Sequence, residues 1–223
     1  MMLLQWKEML APVYLSIKVA VISSFIVFVL AMAAARWMSR RRFWGKSLLD
    51  TLFLLPLVLP PTVVGFVLLM TLGRRSWIGQ AYERLLDQPI VFTWIAAVIA
   101  AVVVAFPLAY RTMRAGFEEV DRELEDAARA TGANEWQVFR YITMPLASKS
   151  LLAGYILGFA RGLGEFGATL MIAGNIPQRT ETIPTAIYMA VDRGEASLAW
   201  IWALAMVLIS FLMLLAASGY SRR

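Results

Sequence analysis

The chain has 223 residues, 60% of them hydrophobic, and its 21 Lys and Arg against 15 Asp and Glu leave a net charge of +6. It contains neither Cys nor His, which excludes disulfides, thiolate metal sites, cysteine nucleophiles, Ser-His-Asp triads and most zinc or haem centres. A soluble domain is nearer about 45–50% apolar; here the mean hydropathy is +0.67 and the excess sits in long blocks.

The first block, 13–35 (VYLSIKVAVISSFIVFVLAMAAA), is long enough to span a membrane. Lys18 lies near its outer end and is expected to snorkel to the interface. A basic stretch follows, RWMSRRRFWGK at 36–46, with five Lys and Arg. Within it WGKS at 44–47 mimics the end of a phosphate-binding loop, but Arg40 stands where that motif needs Gly. No ATP site, cofactor, metal or catalytic group is expected. The second block, 48–72, is interrupted by Pro56, Pro60 and Pro61, each of which removes a backbone donor and bends a helix. A half-helix beginning near Thr62 would present free N–H groups as a weak anion site; a plain packing kink is the alternative.

The third block is 90–110, and the fourth and fifth are 150–173 and 198–218. Each reaches the ~20 residues that cross ~30 Å of hydrocarbon, so the chain is read as all-α, with five transmembrane helices. A soluble bundle would carry a polar face along each helix, and these blocks lack one. Arg161 and Glu165 are the clear charges deep in the fourth block, four residues apart and so on one helix face. Either they lock helices together, or Arg161 contacts a passing dianion; the lock is preferred because a tight cationic site hinders release. Between the last two blocks, 182–192 (TIPTAIYMAVD) reads as a short amphipathic helix suited to an external gate, with Asn175 and Arg179 beside it. Trp200 and Trp202 read as interfacial anchors.

Orientation follows from the loops. Six Lys and Arg lie between Arg111 and Lys149, and the chain ends SRR, whereas 73–89 and 174–197 hold two or three each, balanced by acids. The positive-inside rule then places the N-terminus outside and the central stretch and C-terminus in the cytoplasm. A cleaved signal peptide is not expected, since the positive charge follows the first apolar run. Nucleic-acid binding is not expected either.

The central stretch has helical periodicity from Phe117 to Thr131, with Phe117, Val120, Leu124, Ala127, Ala128 and Thr131 on one face. Glu118, Asp121, Arg122, Glu125 and Arg129 form the opposite, charged face. Gly132 is a helix stop, and a second helical segment is expected from Glu135 to Ile142, ahead of Pro145. On periodicity alone this is an amphipathic loop lying against its own membrane helices.

The residue pattern adds to that. Asp126-Ala127-Ala128, three residues, Gly132, nine residues, Ile142, one residue, then Met144-Pro145 resembles the EAA loop of bacterial ABC importer permeases, with Asp126 in place of Glu and Met144 in place of Leu. The resemblance implies a coupling helix that docks into a groove on a separate ATP-hydrolysing subunit. Ala127, Ala128 and Gly132 would allow close backbone approach, and Leu124 would serve the docking face. FARGLGEFGATLMIAGNIPQRTETIPTAIY at 159–188 and LPLVLPPTVVGF at 55–66 resemble the molybdate permeases. Sulfate permeases share much of the Gly-Glu-Phe-Gly-Ala region, but the Asn175-Ile176-Pro177 and Ile183-Pro184-Thr185-Ala186-Ile187-Tyr188 wording favours molybdate.

The resemblance implies a type I ABC importer permease domain over 11–218, with the coupling loop at 117–145. It also implies a homodimer in the bacterial inner membrane, two ATPase subunits and a periplasmic molybdate-binding protein, and a substrate path or gate near Pro60, Pro61, Thr62, Arg161 and Glu165. A sulfate, thiosulfate or tungstate permease is the close alternative. A membrane-embedded lipid-modifying enzyme and a passive channel are the alternatives from other classes.

Overall fold

The computed structural model describes residues 2–221, with side chains over residues 9–216. Every regular element among them is helical. α1 (Met2–Arg40) is one continuous helix. α2 (Lys46–Val58) and α3 (Pro61–Leu72) are separated at Leu59-Pro60 and bent by 112°. α4 (Trp77–Leu86) is capped by Ser76, whose hydroxyl accepts from the Gly79 N–H at 2.9 Å. α5 (Trp94–Glu119) is the second long helix. α6 (Arg122–Ala130) and α7 (Glu135–Val138) lead through a π-helical turn, Phe139–Thr143, into α8 (Met144–Leu146) and α9 (Ser148–Leu163). α10 (Gly167–Ala173), α11 (Ile183–Asp192) and α12 (Ala196–Ser221) complete the chain.

Three helical stretches are each long and apolar enough to cross a membrane, Met9–Arg40, Trp94–Glu119 and Ala196–Ala216. Two bent pairs pass the same test together, Lys46–Val58 with Pro61–Leu72 and Glu135–Leu146 with Ser148–Leu163, which gives up to five spans if each pair is one span. The second block is thus two helices, broken where its prolines stand. The fourth block is corrected more substantially: its helix stops at Leu163 and resumes at Gly167 as α10. At 16 residues, α9 reaches only about 24 Å, short of a bilayer core.

α1, α5 and α9 form the centre. Their contact surfaces are built from small residues, which let backbones approach where lipid provides no hydrophobic drive. Ala96, Ala97, Ala100, Ala101, Ala105 and Ala109 of α5 are all fully buried. From α9, Gly158 faces Val27 of α1 and Ala109, and a Cβ built on Gly162 would sit 3.1 Å from the Ser23 hydroxyl. Ser23, Ser24 and Ser39 of α1 turn their hydroxyls onto the carbonyls three residues back, at 3.2, 3.0 and 2.9 Å. Ser16 does something different: it accepts the N–H of Ile183 at 2.7 Å and pins the start of α11 to α1.

At the other end of α1, the expected helix over Phe117–Thr131 is not continuous. Phe117 belongs to the last turn of α5 and is fully buried in the core, Val120 ends that helix, and Asp121 restarts the chain by accepting the Glu123 N–H at 2.9 Å. A buried Phe117 cannot share an exposed face with Leu124, which is why the single-helix reading fails. The stretch 73–89, read as loop, contains α4. Lys18 does not snorkel freely; its ammonium lies 3.7 Å from the Trp94 ring centroid. Trp200 is exposed, as an interfacial anchor would be, whereas the Trp202 indole donates to the Met9 carbonyl at 2.9 Å and ties α12 to α1.

Candidate functional site

Two places gather the residues singled out in the sequence. The first is the α6 end of the molecule. Gly132, with φ of 94°, ends α6 in the left-handed region, where a side chain costs about 1 kcal/mol; a Cβ there would meet nothing within 4 Å. Asn134 and Gln137 then form a reciprocal capping box that starts α7. On α6 the expected docking residues are presented outward. Leu124 is 49% exposed, Asp126 and Ala127 are exposed, and Ala128 is half-buried.

Glu125, assigned by periodicity to a solvated face, is instead 1% exposed. Its carboxylate pairs with Arg40 at 2.7 Å and Arg36 at 3.3 Å, both from α1, and with Arg129 at 3.7 Å. It also accepts the hydroxyl of Thr143, the last residue of the π turn. One buried carboxylate therefore joins α1, α6 and the segment leading into α9. Arg129 in turn pairs with Asp126 and, at 2.7 Å, with Glu135. That hydrogen bond holds the Glu135 carboxyl below its usual range and raises Arg129 above its own. The sequence carried one overlooked signal: Arg36 and Arg40 are four apart, on one face of α1.

A second ionic cluster, also missed, ties α2 to α5. Asp50 accepts the Tyr110 hydroxyl at 2.7 Å and pairs with Arg114, which also holds Glu118 at 2.7 Å.

The second place is the crossing of the two broken spans. α3 begins with Pro61 in its first turn, at the position where the ring's missing N–H leaves nothing unsatisfied. A Cβ on Gly167, the first residue of α10, would lie 3.1 Å from the Pro61 Cβ and 3.5 Å from the Thr62 nitrogen. Gly65 is tighter still, with its Cβ position 2.8 Å from the Ala168 Cα. Beside this contact, Arg161 in the last turn of α9 pairs with Glu165 at 2.7 Å. Glu165 is 3% exposed and its other oxygen accepts the Ala168 N–H at 2.8 Å, so it caps α10. The structure thus brings Pro61, Thr62, Arg161 and Glu165 into one neighbourhood, with Pro60 exposed at the α2–α3 break. Asn175 is partly turned inward, its amide donating to Glu181 at 3.2 Å, while Arg179 is exposed. α11 confirms a helix where 182–192 was expected, opened by a Thr182–Thr185 capping box.

Broken membrane helices around a small-residue core, with a polar helix projected from one end, define a helical transport permease. The chain belongs to the family of binding-protein-dependent transport system inner membrane components, which matches residues 19–223. Its relatives make the placement narrower. YvgM of Bacillus subtilis (strain 168) is 55% identical over 207 residues, spanning 93% of this chain and 91% of its own. The molybdenum transport system permease protein ModB of Haemophilus influenzae is 44% identical over 183 residues, spanning 82% and 80%. The fold is that of an ABC importer: a bacterial ABC transporter involved in the import of the acidic polysaccharide alginate superposes with a TM-score of 0.78. That match has 14% identity and spans 97% of this chain and 80% of the other.

Proposed function

We propose that this chain is the membrane-spanning subunit of an ATP-driven importer for molybdate, with the permease domain extending over 11–218. The observation that carries the transport mechanism is the α6 module: an exposed helix with small residues and Leu124 outward, fixed to α1 and to the α9 lead-in through the buried Glu125. Such a helix is a handle. Leu124, Asp126, Ala127, Ala128 and Gly132 form the surface that a separate ATPase subunit grips, so ATP is hydrolysed outside this chain. Two ATPase subunits and two copies of the permease complete the transporter, with a periplasmic molybdate-binding protein delivering the oxyanion. The broadly exposed apolar faces of α2, α3 and α12 are available to lipid and to the second copy. Substrate assignment rests on the relatives named for molybdenum.

In this reading, movement of α6 is transmitted through Glu125 to Arg36 and Arg40 and through Thr143 to α9. The α9–α10 break, locked by Arg161 and Glu165, and the Pro60–Thr62 turn that abuts Gly167 then form the gate. The weak anion attraction of a helix N-terminus at Thr62 suits an ion that must leave again.

Orientation is tested by fusion reporters. Those placed after Arg42 and after Arg223 are expected to read cytoplasmic, and one near Gln80, in α4, external. An external signal from the Arg36–Lys46 stretch would overturn the orientation and the coupling role together.

Transport is tested in vesicles holding the permease with its ATPase and binding protein. Labelled molybdate is expected to accumulate only with ATP, and excess sulfate is expected to compete poorly. Equal competition by sulfate would move the substrate to sulfate, and accumulation without ATP would make the chain a passive channel.

A further inference from the structure

Between the end of α1 and α6 lies a cavity of about 440 Å³ that holds more cations than the coupling role uses. It is lined by Arg36, Arg40, Arg41, Arg122 and Arg129, and by three carboxylates, Glu125, Asp126 and Glu135. The carboxylates are committed: Glu125 serves Arg36, Arg40 and Arg129, while Asp126 and Glu135 both serve Arg129. Among the described residues Arg41 and Arg122 make no ion pair, and the buried Arg40 Nε has no hydrogen-bond partner. Cationic donors are left over in a concave site, a situation that a further anion would relieve.

The surroundings indicate which anion. Trp37 lines the same cavity, is 45% exposed and packs on Phe43 at 5.1 Å between ring centroids; Trp44 beside them is fully exposed. Aromatic side chains grouped with arginines at the end of an apolar helix mark the level of lipid headgroups. On α6 the cavity residues Arg122, Glu125 and Arg129 recur at three- and four-residue spacing on one face, and Leu124 and Ala127 occupy the other. Of the α6 residues that line the cavity, Asp126 alone also belongs to the gripped surface, so Arg122 lies off it.

We propose that this arginine-lined cavity binds the phosphate headgroup of an anionic phospholipid, which bridges Arg41 on the α1 side to Arg122 on α6 and adds to the hold of Glu125. This assignment rests on reading the α6 end as a membrane–water boundary. It makes the grip of α1 on the coupling helix sensitive to the anionic lipid content of the membrane.

The test uses the full chain in detergent, with phosphatidylglycerol or phosphatidylcholine added and bound lipid counted by native mass spectrometry. Phosphatidylglycerol is expected to be retained in preference to phosphatidylcholine. The double variant Arg41→Gln with Arg122→Gln is expected to weaken that preference about thirty-fold. Equal retention of the two lipids, or a preference that survives in the double variant, overturns the proposal. Displacement of the lipid by inorganic phosphate would reassign the cavity to a free anion and overturn the lipid source. Should the double variant fold poorly, Arg122→Gln alone is expected to lose about five-fold. None of these readings depends on transport, so a failed uptake assay leaves them intact.

Discussion

Glu125→Ala is expected to lower the stability of the detergent-solubilised chain by about 3–5 kcal/mol and to abolish ATPase-coupled transport. The carboxylate side chain is 2% exposed, and the arginines it neutralises, Arg36 and Arg40, are about 20% exposed. Removing it leaves two partly buried guanidinium groups without their shared carboxylate. Glu125→Gln keeps an acceptor for Thr143 but loses the charge, and should fall between. The origin of the loss is separable: Glu125→Leu combined with Arg36→Met and Arg40→Met removes every charge at once and is expected to recover most of the stability. Thermal unfolding together with protease sensitivity of 120–147 checks both halves. A Glu125→Ala chain that unfolds at the wild-type temperature and keeps α6 protected would show that the carboxylate holds nothing.

The second large effect concerns Arg161 and Glu165. Arg161→Ala strands a carboxylate that is 1% exposed by side chain, and about 3–5 kcal/mol is again the expected loss. Among the described residues, Glu165 Oε2 has no hydrogen bond of good geometry besides this ion pair, so Arg161 is its main compensation. Arg161→Met with Glu165→Gln should recover stability, because the glutamine oxygen can still accept the Ala168 N–H that opens α10. Uptake should recover with it if the pair is a lock. A stable double variant that fails to transport would place Arg161 in the path of the oxyanion instead.

These two sites differ in how far sequence alone exposes them. Arg161 and Glu165 are four residues apart in an apolar block, and a local pattern of that kind is visible without a structure. The burial of Glu125 is not visible in that way, because the two α1 arginines that it joins lie 89 and 85 residues away. A helical wheel of its own segment places it on the wet side. The breaks show the same contrast. Proline announces the break between α2 and α3 through covalent chemistry, whereas Gly164-Glu165-Phe166 breaks the fourth block without a proline. There the interruption is fixed by Glu165 capping α10 locally and by the tertiary contact of Gly167 with Pro61. Block length identified the long spans of α1, α5 and α12 because bilayer thickness is an external ruler. The division at Val120-Asp121 has no such ruler; it depends on Phe117 being drawn into a core made by other helices.

The serines of α1 bear on how the chain is made. Synthesis delivers α1 to the bilayer before α5, α9 or α11 exists, so any polar group it carries must first survive in lipid without them. Ser23, Ser24 and Ser39 meet that condition by bonding to carbonyls within their own helix. Ser16 has its partner on α11, 167 residues later. Its contact with Ile183 can close only after most of the chain has emerged, which makes the docking of α11 a late event in biogenesis.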